Sequence, residues 1–173
     1  MRLLKRSKLA IDLLLSLYLL TPAFSAFAKK NQDPIIIHTV PDFDNFVLYE
    51  NSEELPNGFI KVDVGYRFFW LDEESNMLGY AEQYITGIQR IPDKADGMVS
   101  LHGYGVFTST ITEKPGTITY TIGNNWLPAT NEYFAGRLSI KGGTGYFEGI
   151  KGPGELNFET FAFELYVNFD PWE

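Results

Sequence analysis

Five glycines fall within the eleven residues from Gly142 to Gly152, between an alternating run ending at Ile140 and another starting at Gly154. Glycine lacks the Cβ that disfavours positive φ, so this density suits a tight turn joined to bulged, bent strands. It does not suit a helix, where each Gly costs about 0.5–1 kcal/mol relative to Ala. A glycine loop that cradles phosphate would open into a helix and carry a Lys-Ser/Thr pair. Here Gly154-Glu155-Leu156-Asn157-Phe158-Glu159-Thr160 follows, which alternates as a strand does, and no such pair is present. An antiparallel sheet needs corners of this kind to curl shut.

The rest of the chain repeats the strand pattern. Ile60, Val62, Val64, Tyr66, Phe68 and Trp70 share one parity, with Lys61, Asp63, Gly65 and Arg67 on the other. Gly79 to Ile91 alternates again, with Ala81, Gln83 and Ile85 opposed to Tyr80, Glu82 and Tyr84. Val99, Leu101 and Phe107 oppose His102, Tyr104 and Thr108, and Gly103 and Gly105 suggest a bend. Ile118, Tyr120 and Ile122 alternate with threonines; Phe134 to Ile140 and Phe161 to Phe169 complete the set. Phe46–Tyr49 reads as a short strand followed by an acidic turn over Glu50–Glu54, and Gly123–Asn131 as a loop. Turn signals at this spacing predict an all-β, closed antiparallel eight-stranded β-barrel, calycin-like in form. The period-two pattern does not say which parity faces inward, and most aromatics are accounted for as core.

Met1–Ala28 has the form of a secretory signal peptide. Arg2, Lys5, Arg6 and Lys8 precede the apolar run Leu13–Leu20, and Ala26-Phe27-Ala28 offers small residues for cleavage. The apolar run is short for a permanent span of about 30 Å, so the expectation is an exported, periplasmic or secreted protein without stable membrane insertion. Residues 29–46 read as an N-terminal arm, with Ile35-Ile36-Ile37 as an edge strand or a packing segment, and 47–173 as the barrel domain. Without the leader, ten basic and twenty-one acidic residues remain, a formal charge of −11. That charge opposes a nucleic-acid partner, which selects basic patches. The absence of cysteine excludes disulfides and lipid attachment through a thiol.

The run Leu138-Ser139-Ile140-Lys141-Gly142-Gly143-Thr144-Gly145-Tyr146-Phe147-Glu148-Gly149-Ile150-Lys151-Gly152, followed by Leu156 and the Phe161-x-Phe163-x-Leu165 strand, resembles the allene oxide cyclase family. More distantly it is similar to the dirigent proteins. The resemblance implies an eight-stranded barrel, often trimeric, around an apolar cavity that folds an unsaturated fatty-acid epoxide for ring closure without metal or redox cofactor. It further implies that Tyr49-Glu50 matches the pair whose glutamate steers the developing cation, and that Ser75-Asn76 matches the segment whose asparagine holds a water on the epoxide oxygen. Ser52 stands where the family has another water-binding asparagine. Gln89 falls in the region of the family's cavity cysteine, which has no counterpart here.

Chemistry read from the residues is consistent with a cofactor-free site. Glu50 at the mouth of an apolar barrel could stabilise positive charge or act as a base; as one of a run of acids it also reads as a solvated turn residue. Asn76 is a candidate oxygen holder or a self-capping loop residue. Glu148 reads as an acceptor for the amides of the bent glycine stretch. His38 and His102 are too few and too far apart for a zinc site, so no metal is expected. No nucleophile elbow or thiol is present. The expected partner is a small apolar ligand, with Glu50 and Asn76 as candidate catalytic residues and Tyr49, Ser52 and Gln89 as candidate ligand contacts. The alternatives are a non-catalytic binding barrel and a dirigent-like or structural subunit filled with aromatics.

Overall fold

The computed structural model describes residues 33–56, 58–89, 99–127, 132–157, 160 and 162–172. The expected leader, and Phe158 and Phe161 of the expected strands, lie outside them. Among the described residues there are nine strands and no helix: β1 (Ile35–Pro41), β2 (Val47–Glu54), β3 (Ile60–Leu71), β4 (Met77–Gln89), β5 (Val99–Ser109), β6 (Gly116–Leu127), β7 (Glu132–Gly145), β8 (Gly152–Asn157) and β9 (Ala162–Leu165). From β3 to β9 each strand pairs antiparallel with the next, and β1 joins β9 to β3. The sheet thus closes as an eight-stranded antiparallel barrel, calycin-like, with β2 as one extra strand.

Register settles the parity that alternation leaves open. Phe68 pairs with Ala81, Ala81 with Phe107 and Phe107 with Ile118, and further round Leu138 pairs with Gly154 and Gly154 with Leu165. These positions share the inward face, and Phe107, Ile118, Leu138 and Leu165 form one cluster with Ile37, Trp70, Tyr120 and Phe163. Trp70 stacks on Phe107 with ring centroids 4.6 Å apart and touches Tyr120 and Phe163 at 5.5 and 5.8 Å. Aromatic pairs at such distances contribute roughly 0.5–1.5 kcal/mol beyond their burial. This half of the barrel is a packed core.

The glycine stretch seals that end. Gly145, at φ +60°, and Gly149, at φ +84°, bracket consecutive turns in which Phe147 N–H donates to Thr144 O, Glu148 N–H to Gly145 O, and Ile150 N–H to Phe147 O. Two left-handed positions so close together favour glycine, because a Cβ there is strained. The turns carry Phe147 and Ile150, both fully buried, across the barrel end, where Phe147 meets Phe107 and Trp172 at 5.9 and 6.0 Å. Glu148 is exposed, and the backbone carbonyls, not its carboxylate, accept the turn amides; the expected acceptor role is not the one it has.

Three other sequence expectations change. The stretch read as an arm contains β1, a stave that closes the barrel, so the domain begins by Ile35 and not at residue 47. Glu50–Glu54, read as an acidic turn, is extended within β2; among the described residues this strand pairs on one side only, and its side chains are exposed and need not alternate. Gly123–Leu127, read as loop, continues β6 past a register shift between Gly123 and Asn125.

Candidate functional site at the open end

The strands differ in length, and this leaves the end opposite the glycine turns open. β8 and β9 have six and four residues, and β8 pairs with β7 only over Arg137–Ile140. β1 pairs with β3 only over Phe68–Leu71. Beyond that level β2 takes over the edge of β3, from Tyr66 to Ile60, and the six strands β2–β7 continue past the closed ring.

The switch from β1 to β2 is made by a turn at Asp42–Phe46. Asn45 donates backbone and side-chain N–H groups to the Asp42 carboxylate at 3.3 Å, and Arg67 of β3 bonds across the interruption, donating to Phe46 O and accepting from Asp42 N. Phe46 then turns in over Tyr66 and Phe68, with centroids 4.8 and 5.3 Å away. Together with Val64, Val62 and Ile85 these rings form a second apolar cluster, separate from the core around Trp70. They make the floor of the open end.

Above this floor the inward face is mostly apolar but no longer covered; Asn124, half-buried opposite Leu101, brings a polar side chain to it, its Oδ1 without a hydrogen-bond partner among the described residues. Trp70 and Phe107 are fully buried, whereas Ile60, Val62, Ile85 and Leu101 are half-buried. Gln83 is the buried polar side chain on this face, 5% exposed, in register with Tyr66. Its signal in the sequence is a single amide between Ala81 and Ile85, which alternation alone does not mark as a site. Next to it Tyr120 lies across Gly105; burial pushes the pKa of its hydroxyl up, and hydrogen bonding with Gln83 opposes that rise.

The candidate residues separate into three places. A register shift between Val47 and Tyr49 puts Glu50 opposite Val64, Ser52 opposite Val62 and Glu54 opposite Ile60, so all three share the inward parity and line the edge of the mouth. Their side chains are exposed. Gln89 is in register with Ile60 on the same rim. Tyr49 faces the other way: it covers Gly65 on the outer surface and stacks on Tyr84, which stacks on Tyr104, at 6.1 and 5.1 Å. Asn76 lies in the β3–β4 turn at the sealed end, where its amide and backbone N–H both donate to Asp72, at 2.9 and 2.8 Å. Seven residues of β3 separate the level of Glu50 from that turn, roughly 23 Å at about 3.3 Å per residue. Glu50 and Asn76 therefore do not share a site. The Asp72 carboxyl is held below its usual range by the Asn76 hydrogen bond, as a self-capped turn requires.

On the outer surface beside the floor, Arg67 pairs with Glu82, lies over the Tyr80 ring at 4.9 Å and reaches Asp42 at 4.0 Å. Tyr84 donates its hydroxyl to Glu82 at 3.1 Å. The Arg67 hydrogen bond holds the Glu82 carboxyl below its ordinary value. This network sits opposite the β1–β2 interruption and fixes where the barrel changes from closed to open.

Among the described residues no group of three His, Asp or Glu side chains is arranged to hold a metal ion. No family model, curated protein or solved structure matches the chain.

Proposed function

We propose that the protein is an exported binding barrel that takes a small apolar molecule into its open end. The observation that carries this reading is the contrast between the two ends: the same inward parity that is fully buried around Trp70 is apolar yet half-exposed at Ile60, Val62, Ile85 and Leu101. Ligand sites are typically apolar concavities with a few polar groups that fix orientation. Here Gln83 lies at the floor and Ser52, Glu50 and Glu54 along one rim. The resemblance to allene oxide cyclases supports a lipid-derived ligand and points to a trimer.

Carriage is favoured over catalysis by the distance between the two residues expected to work together. An acid that steers a cation and an amide that holds the reacting oxygen must both reach one substrate, and roughly 23 Å exceeds any hydrogen-bonded arrangement. A second reading, a cofactor-free cyclase that uses Glu50 alone as the charge-stabilising group, rests on the inward parity of Glu50.

The test is fluorescence of an uncharged polarity-sensitive dye, Nile red, with the mature protein and a Val62→Trp variant that fills the mouth. Dye emission should rise with the wild-type protein and fall with unsaturated epoxy fatty acids as competitors. No enhancement, or equal enhancement with Val62→Trp, would sink the site. Chirality of any cyclised product then separates the two readings, since racemic product at the uncatalysed rate removes the cyclase.

A further inference from the structure

The β2 strand presents a free sheet edge of unusual composition. Among the described residues it is last in the sheet order, pairs only with β3 and is exposed at seven of its eight positions. Asn, Ser and Glu are poor strand formers, so this stretch is held extended by β3 rather than by its own preference. Alternate residues of any edge strand turn N–H and C=O groups outward, which is a template for another strand. Here that template carries Glu50, Glu53 and Glu54. Their carboxylates make no hydrogen bond or close ion pair among the described residues, and the cation opposite Glu53, Lys61, is bound to Asp63 at 2.9 Å. Glu53 adds only a weaker pull on that lysine.

From this edge we infer that β2 docks an extended basic segment of a partner protein by strand addition. The charge selects the occupant: a second copy of β2 would set glutamate against glutamate, which destabilises directly opposed strands. A basic strand meets the opposite sign. The register sets its pattern as well. Glu50, Ser52 and Glu54 share the inward face, so the complementary segment has basic residues four apart on one face with an apolar residue between them. That middle residue would pair with Ser52, itself opposite Val62 at the lip of the mouth. The inference stands on the edge and its charge and does not depend on what the barrel encloses.

Fluorescence anisotropy with a labelled acetyl-Ser-Lys-Thr-Val-Thr-Lys-Ser-amide peptide tests it, with three comparison peptides. One carries Glu for Lys, one places the two lysines adjacent, and one is N-methylated on alternate backbone amides. The Lys peptide should bind at least roughly tenfold more tightly than the Glu peptide at low salt, and the margin should shrink as salt screens the charges. The adjacent-lysine and N-methylated peptides should each lose about as much, because spacing and backbone pairing both contribute. A Glu50→Lys/Glu54→Lys variant, checked for its strand signal by circular dichroism, should reverse the order of the Lys and Glu peptides. Equal binding of the N-methylated peptide would reduce the interaction to surface charge and overturn the inference. A concentration-dependent dimer that blocks the peptide would also overturn it, by making a second copy the occupant.

Discussion

Substituting Gly105 by alanine should unsettle the barrel far more than the same change at Gly123, although both glycines lie in long strands. A β-carbon on Gly105 would sit 2.6 Å from Cε2 of Tyr120 and closer still to its Cζ and hydroxyl. Carbon atoms rest about 3.5–4.0 Å apart, so the ring would have to withdraw by about 1 Å. It has nowhere to go: Tyr120 is 1% exposed and packs against Trp70 and Phe163. Overfilling a core of this kind costs about 1–3 kcal/mol, and the upper end is expected with three rings involved. Against a total stability of about 5–15 kcal/mol that is a large loss. With a urea m-value near 2 kcal/mol/M it lowers the midpoint by about 1–1.5 M. At Gly123 the nearest atom to the added carbon is the Leu101 carbonyl oxygen, 3.8 Å away, so alanine fits. There the reduced freedom of the unfolded chain should leave stability unchanged or raise it by about 0.4–1 kcal/mol. Equilibrium urea unfolding followed by tryptophan fluorescence reads both. Adding Tyr120→Leu to Gly105→Ala should cost less than the two single changes summed, since the smaller side chain relieves the overlap. Strict additivity, or a Gly105→Ala midpoint within error of the wild type, would refute the packing argument.

Three further outcomes follow from other parts of the barrel. Phe147→Ala should cost about 3–5 kcal/mol and weaken the near-ultraviolet signal of Trp172, because Phe147 is the fully buried ring of the sealed end. Glu82→Gln should be destabilising at neutral pH in urea titrations. Because Arg67 holds the Glu82 carboxyl below its ordinary value of 4.5, the ionised carboxylate contributes stability above that value and loses it as pH falls through the lower folded value. The gap between Glu82→Gln and wild type should therefore narrow as unfolding titrations are carried from neutral pH down below 4.5. Asn76→Ala should cost about 0.5–1.5 kcal/mol by opening the Asp72 turn, and leave Nile red emission unchanged; a loss of dye binding would return Asn76 to the site.

How much of this was legible in the chain depends on how strongly each element is tied to the core. β3 is plain, because from Ile60 to Trp70 every second residue of its twelve-residue span faces the interior. β2 is not, because a strand with a single neighbour and exposed side chains carries no alternation to read. The far half of β6 was hidden by Asn124 and Asn125, which read as turn residues, and by the register shift beside them. The candidate site suffered for a different reason. Glu50 and Asn76 are close in sequence, but the chain between them runs up β2 and down all of β3, so nearness along the chain became separation in space. Alternation fixes faces; it does not fix levels along the barrel axis.

Those levels decide where function can reside. In a barrel of equal strands, side chains as large as Trp70, Phe107, Tyr120 and Phe163 would fill the interior from end to end, as eight-stranded barrels often do. Here the fourteen residues of β7 are followed by six in β8 and four in β9, so the ring is complete only around those four rings. The remaining length of β3, β4 and β5 has an inner face that is apolar at Ile60, Val62, Ile85 and Leu101, no strand among the described residues completes the circle there, and the chain supplies β2 in place of β1 at just that level. The Arg67–Glu82 pair and the Asp42 turn sit at the changeover. Weakening them should therefore loosen β2 before it disturbs the sealed core, and amide hydrogen exchange of Glu82→Gln should quicken in β2 while Phe107 and Ile118 remain protected. Uniform quickening across both would mean that the two ends are one cooperative unit and that the open end has no independence to use.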